Sequence, residues 1–159
     1  MFFQAKRQTL QFVGLSRGGY GNPFDITTAS KRPLAEDVTD SVVTALQKAR
    51  NSAIAVPAIP KSSVEDARAF LLKAEADRFA LLTFRQWKSD AWFSIGLDYE
   101  MNLEILSKDG SELARTSISG HDDLGTTVVP RDVRVAAETA IRDKLEIIFN
   151  EPAIKSALE

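Results

Sequence analysis

The sequence predicts an α+β fold: a mixed sheet in the order β-α-β-α-β-β-β-α, with helices packed on one face. Three observations carry this. The run Ile95-Gly-Leu97-Asp-Tyr99-Glu-Met101-Asn-Leu103-Glu-Ile105 alternates apolar and polar residues, the mark of a strand with one dry and one wet face. Lys108-Asp109-Gly110-Ser111 follows it with a hairpin signal. Before and after these strands lie stretches with the 3.6-residue apolar spacing of amphipathic helices. A strand–helix–strand opening requires a crossover, so the first two strands are expected to be parallel and joined right-handedly, and the last three to form an antiparallel meander.

Thr9-Leu-Gln-Phe-Val-Gly14 reads as the first strand, ended by glycine. Residues 15–32 read as an irregular Gly/Pro-containing loop, turn-rich from Ser16 to Pro23. Pro33 suits the first turn of a helix, where its missing N–H costs little. Leu34, Val38, Val42, Ala45, Leu46 and Ala49 then share one helical face. Ala53-Ile-Ala-Val56 reads as a short strand cut by Pro57 and Pro60. Ser62-Ser63-Val64-Glu65 has capping-box spacing, and Val64, Ala67, Leu71 and Ala74 form the stripe of a second helix. Phe79 to Phe84 starts a third strand. Pro130 opens a third helix whose buried face is Val133, Ala137, Ile141, Leu145 and Ile148. Glu151-Pro152 breaks it before a short amphipathic tail, Ile154 to Leu158.

Counting outward from Asp109-Gly110 as a two-residue turn predicts a register. Ile105 faces Ala114, Leu103 faces Thr116 and Met101 faces Ile118. On the other side Glu104 faces Arg115, Asn102 faces Ser117, Glu100 faces Ser119 and Asp98 faces His121. Apolar then meets mostly apolar and Glu meets Arg, and a one-residue slip would invert the faces of one strand. For the preceding hairpin, a four-residue loop Lys88–Ala91 sets Trp87 opposite Trp92, Phe84 opposite Ile95, Leu82 opposite Leu97 and Arg85 opposite Ser94. Both tryptophans then lie on the open, polar face.

At 159 residues the chain suits one domain, 1–159, with an ordinary 44% hydrophobic and 26% charged content. A net charge of −2 gives no electrostatic case for nucleic acid or an anionic membrane. The absence of cysteine removes disulfides, thiolate metal sites and cysteine nucleophiles. No apolar run approaches the roughly 20 residues of a membrane-spanning helix, and Met1-Phe2-Phe3 is too short for a signal peptide. Met1 is therefore either a cytosolic start or follows a removed targeting segment.

Three side chains are candidates for a partner surface: Trp87, Trp92 and Arg85, an aromatic pair beside a cation. A clamping pair within the hairpin is the structural alternative. His121-Asp122-Asp123 carries ligand-type side chains, but it holds the one histidine, and a cross-strand contact with Asp98 accounts for it. The four glycines of Gly14–Gly21 are not a phosphate loop, because Tyr20 rather than Lys-Ser/Thr follows Gly19. Asp98, Glu100 and Glu104 read as a solvated strand face. No nucleophile motif is present, so the reading is a non-enzymatic protein with no catalytic, cofactor or metal residue.

The helix Leu34–Arg50, the strand Ile95–Leu106, its hairpin return along Leu113–Ser119, and the helix Val133–Phe149 with a short helix after Asn150-Glu-Pro152 together resemble small bacterial outer-membrane lipoproteins of the YajG type. The arrangement is also similar to the anticodon-binding-like N-terminal domains of TolB and CsgG. Two departures are an extra helix over Ser62–Ala76 and the missing lipid-bearing cysteine. The resemblance implies export, a lipid anchor outside this chain, attachment to the periplasmic face of the outer membrane, and envelope proteins as partners. A cytosolic small-molecule or peptide binder, with a pocket between the sheet and Tyr20, is the alternative. An enzyme with an unrecognised site is the second.

Overall fold

A computed structural model describes residues 9–49, 52–56, 63–126 and 129–159. Its elements are β1 (Phe12–Arg17), β2 (Pro23–Thr27), α1 (Leu34–Lys48), α2 (Val64–Leu71), β3 (Arg78–Ala91), β4 (Ile95–Ser107), β5 (Glu112–Asp123), α3 (Pro130–Phe149) and α4 (Pro152–Leu158). The α+β class, the mixed sheet and the C-terminal antiparallel meander are those the sequence predicts. The sheet order is β2-β1-β3-β4-β5.

The opening of the chain differs from expectation. The segment 15–32 is not all loop: β1 continues through Leu15 to Arg17, and Pro23-Phe-Asp-Ile-Thr27 forms β2, antiparallel to β1. Residues 52–56 form no strand. The parallel neighbour of β1 is β3, through Leu15↔Asp90 and Ser16↔Ala91. Gly14 does not end β1; it lies inside it because β3 comes too close for a side chain. A Cβ on Gly14 would stand 1.7 Å from Ser89 Oγ, and that hydroxyl donates to the Val13 carbonyl at 3.1 Å.

The predicted β4–β5 register is present pair for pair from Ile105↔Ala114 to Asp98↔His121. The turn itself has three residues rather than two. Ser107 N–H bonds Ser111 O at 2.9 Å, and Gly110 takes φ +84°. Leu106 then pairs with Glu112, so the step at Leu113 absorbs the extra residue. The β3–β4 register differs outright. β3 runs through the supposed loop to Ala91, which faces Ile95, and Trp92-Phe93-Ser94 make the turn. Arg85 is an unpaired extra residue between Phe84↔Met101 and Gln86↔Glu100. Beyond that bulge the faces of β3 reverse, and Trp87 turns inward opposite Tyr99.

The main core fills one face of the sheet. Leu97, Met101, Leu103 and Ile105 of β4 pack with Leu34 and Val38 of α1, with Val133, Ala137, Ile141 and Ile148 of α3, and with Ile154 of α4. The α3 stripe read from spacing reaches its target, with Leu145 only partly buried, whereas of the α1 stripe Leu34 and Val38 are buried, Val42 and Leu46 half-buried, and Ala45 and Ala49 exposed. Proline opens α3 at the first turn, as anticipated, and Pro152, read as a breaker, opens α4 in the same way. Pro33 stands one residue earlier in its helix, at the N-cap of α1.

α2 lies on the opposite face, contrary to a one-sided helix layer. Its Arg68 reaches Glu104, whose side chain points away from the core face, at 2.5 Å, and Leu72 at its C-cap abuts Gly110. Its capping box is Ser63–Asp66, one residue beyond the spacing read from sequence, and Ser62 lies outside the described residues. Beneath this end Phe79, Leu81 and Leu106 are buried on the second face, which is why the run Phe79–Leu82 is continuously apolar rather than alternating.

Gly14→Ala is expected to destabilise the protein by roughly 1–3 kcal/mol, the range for overpacking a tight contact. Adding Ser89→Gly should recover part of the loss in urea melts. Equal melts for wild type and Gly14→Ala would show that the β1–β3 contact is looser than described.

Candidate functional site

Two features of the sheet expose binding capacity, and both follow from topology. The first is an end rich in aromatic side chains. β1 and β3 run parallel, with Ser16 beside Ala91, so the β1–β2 loop Gly18–Asn22 and the β3–β4 turn Trp92–Ser94 project side by side. Tyr20 is 98% exposed, Phe93 73% and Trp92 48%. Trp92 and Phe93 stack on each other with ring centroids 4.9 Å apart. Phe24, at the root of the first loop, is also exposed and lies against Gly18.

Behind these loops an ion pair ties the two hairpins together. Arg17 Nε and Nη2 donate to the two carboxylate oxygens of Asp90 at 2.7 and 2.5 Å, and Arg17 Nη1 reaches the Gly21 carbonyl at 3.4 Å. The Arg17 hydrogen bond holds the Asp90 carboxyl below its ordinary pKa against an opposing burial effect, with the charges of Arg17 and Lys88 adding to the lowering.

The second feature is the free edge of β5. Among the described residues β5 pairs with β4 alone. Ile95 accepts from Leu124 N–H and donates to Gly125 O, each at 2.8 Å, which directs its backbone toward β5. Alternation along the ladder then commits the even-numbered residues 114–122 of β5 to β4 and turns the backbone groups of Arg115, Ser117, Ser119 and His121 outward. The span Ser117-Ile-Ser-Gly120 carries no charge and no proline. The other edge, β2, has five residues and begins with Pro23, which blunts it.

Several charged side chains elsewhere on the sheet are matched to one another. Glu104, its side chain 5% exposed, is held by Arg68 at 2.5 Å, Arg115 at 3.1 Å and the Asn102 amide. Lys144 pairs with Asp122 at 2.5 Å and stands 4.2 Å from the centre of the Tyr99 ring. Burial lowers the Lys144 pKa, and hydrogen bonds to Asp122 and Tyr99 outweigh it, for a net rise. His121 Nδ1 meets Asp98 Oδ1 at 2.7 Å, the cross-strand contact expected from register. No group of three or more His, Cys, Asp or Glu among the described residues could hold a metal, and no helix among them is long and apolar enough to cross a membrane.

The three residues singled out from sequence are separated. Trp87 is not on an open face: it is 5% exposed and packs edge-on against Phe84, because the bulge at Arg85 turns it into the core. Arg85 is the bulged residue, exposed, with Glu100 at 3.8 Å. Trp92 is exposed, and its ring stacks on Phe93 rather than on Trp87. Tyr20 was legible as an aromatic within a turn segment, whereas a loop read at Lys88–Ala91 left Phe93 in a strand; the parallel pairing of β1 with β3 sets their two turns side by side. Tyr20 projects into solvent, and a cleft of about 890 Å³ lies elsewhere among the described residues, between α1, α2 and the first half of β3, lined among others by Val42, Leu46, Phe70 and Leu71.

No protein-family model matches the chain, and no curated protein matches it. Among solved structures it is similar to the crystal structure of protein XCC0632 from Xanthomonas campestris, of family DUF330, with a TM-score of 0.56 and 15% identity over 88% of this chain and 75% of that one. At that identity the likeness is one of fold alone.

Trp87→Ala is expected to cost about 3–5 kcal/mol in denaturant melts, the scale for a buried aromatic, and Trp92→Ala less than about 1 kcal/mol. Equal costs would contradict the inward turn of Trp87. The Asp90 pair gives a signed pH dependence. Its contribution is fully present above the unfolded carboxyl value near 4 and is lost as pH falls through the lower folded value. Urea melts of Asp90→Asn should therefore fall less steeply than wild type below about pH 4; parallel curves would remove the pair from the stability of this end.

Proposed function

We propose that this chain is a non-enzymatic recognition domain of the bacterial cell envelope that binds a protein partner by strand addition at β5. The observation that carries the reading is the twelve-residue edge, whose outward backbone groups lie on Arg115, Ser117, Ser119 and His121. An extended partner segment would satisfy these groups in a second ladder. Main-chain hydrogen bonds supply affinity in this mode, and side-chain contacts along the neutral Ser117–Gly120 stretch set register. Arg115 and His121 flank the stretch and favour a partner with compatible charges at those two positions. The envelope location comes from the YajG-type resemblance: a lipid anchor N-terminal to this chain would hold the domain at the periplasmic face of the outer membrane, with envelope proteins as partners. The gene sequence upstream of the Phe2 codon tests it. A signal peptide ending in a lipobox cysteine is expected, and a natural start at Met1 would discard the location.

Proline separates the edge from the ladder. Ser117→Pro removes an outward N–H and spares the bonds to β4, so melting should shift by only a few degrees while partner binding is lost. Ile118→Pro removes an inward N–H and its ladder bond to β4, and should lower the melting temperature clearly more than Ser117→Pro. A photo-crosslinking residue at Ser119, used in cells, reads partner contact with and without Ser117→Pro. Crosslinks that persist in Ser117→Pro would rule out strand addition.

A further inference from the structure

We infer that the aromatic end of the sheet is a bilayer-contacting surface, partitioning into the interfacial layer of a membrane with zwitterionic headgroups. This rests on the paired loops and is independent of strand addition at β5. The loops Gly18–Asn22 and Trp92–Ser94 together present Tyr20, Trp92 and Phe93 and contain no charged residue. Tryptophan and tyrosine, with an apolar ring and a polar tip, favour the headgroup level of a bilayer. The geometry is convex: two turns extend past the last ladder pairs, Arg17↔Pro23 and Ala91↔Ile95. A protein hot spot is instead a desolvated anchor ringed by neighbouring contacts, and Tyr20, 98% exposed, has no such ring.

The charges behind the loops are arranged for approach to a low-dielectric layer. Arg17 and Asp90 neutralise each other through two hydrogen bonds, Asp122 is paired with Lys144, and Asp123 caps the Gly125 N–H at 2.9 Å. The net charge of −2 supplies no attraction to anionic lipid. Binding should therefore come from aromatic burial, gain nothing from anionic lipid and vary little with salt.

The test is co-sedimentation of the unacylated chain with phosphatidylcholine vesicles, read together with quenching by phosphatidylcholine brominated on its acyl tails. Buried Trp87 provides an internal reference, so quenching should report Trp92 and disappear in Trp92→Phe. Tyr20→Ser and Phe93→Ser, both in exposed loops, should each weaken partitioning roughly five- to tenfold with melting unchanged. Raising NaCl from about 0.1 to about 0.5 M should change it less than about twofold. Ser117→Pro should leave vesicle binding intact even where it abolishes partner crosslinks, which separates this surface from the edge. Absence of partitioning at roughly millimolar lipid, the scale of weak single-anchor membrane binding, overturns the inference. So does partitioning that is indifferent to Tyr20 and Phe93, or that appears only with anionic lipid and vanishes in salt. Any of these results would leave the aromatic end to a protein partner.

Discussion

One extra residue in β3 governs much of this architecture. Arg85 bulges out between Phe84 and Gln86, and every side chain after it changes face. Trp87, Ser89 and Ala91 become core residues; Lys88 and Asp90 turn to the open face. The consequences reach β1. Ser89 can then bond the Val13 carbonyl beneath Gly14, and Asp90 can clasp Arg17 on the other side. The parallel docking of β1, the position of the first hairpin and the pairing of the two aromatic loops all depend on that reversal. An unbulged β3 would present Ser89 and Asp90 to the wrong partners.

The two faces of the sheet are stabilised differently. The core face is apolar and covered by α1, α3 and α4. The second face is polar over much of its area, and α2 covers only the end near the β4–β5 turn. No residue of α2 is fully buried, and its tie to the sheet is largely the Arg68–Glu104 pair. The guanidinium groups of Arg68 and Arg115 offset the burial of the Glu104 side chain, since a buried lone carboxylate is costly. Arg115 was in place from the strand register, and α2 supplies the second cation.

The functional reading follows from what topology leaves unsatisfied. A sheet of five strands must have two edges, and the short β2 with its leading proline closes only one of them. The uncharged middle of β5 is left with outward amides. Loops joined at a parallel pair project together, so their side chains act as one surface. Main-chain recognition at an edge and aromatic partitioning at an end are compatible in one domain because the surfaces differ and draw on different forces.

The sequence by itself determined the α+β class, the meander, the β4–β5 pairing, the buried face of α3 and the first turns of the α1 stripe. Each is a periodic pattern confined to one or two adjacent segments, where strand alternation, helix spacing and cross-strand charge leave one consistent register. The Asp98–His121 contact was legible for the same reason. The β3–β4 register was not, because a bulge adds one residue without a local mark, and Trp87 and Trp92 look alike until the faces are counted through it. β2 was obscured by the glycine-rich turn before it, although Phe24 and Ile26 do alternate. Gly14 reads locally as a strand stop; only the approach of Ser89, seventy-five positions away, gives its actual role. The candidate surfaces are decided at this level as well. Which edge is free and which loops are neighbours are properties of strand order, and strand order is set by long-range packing that no single segment contains.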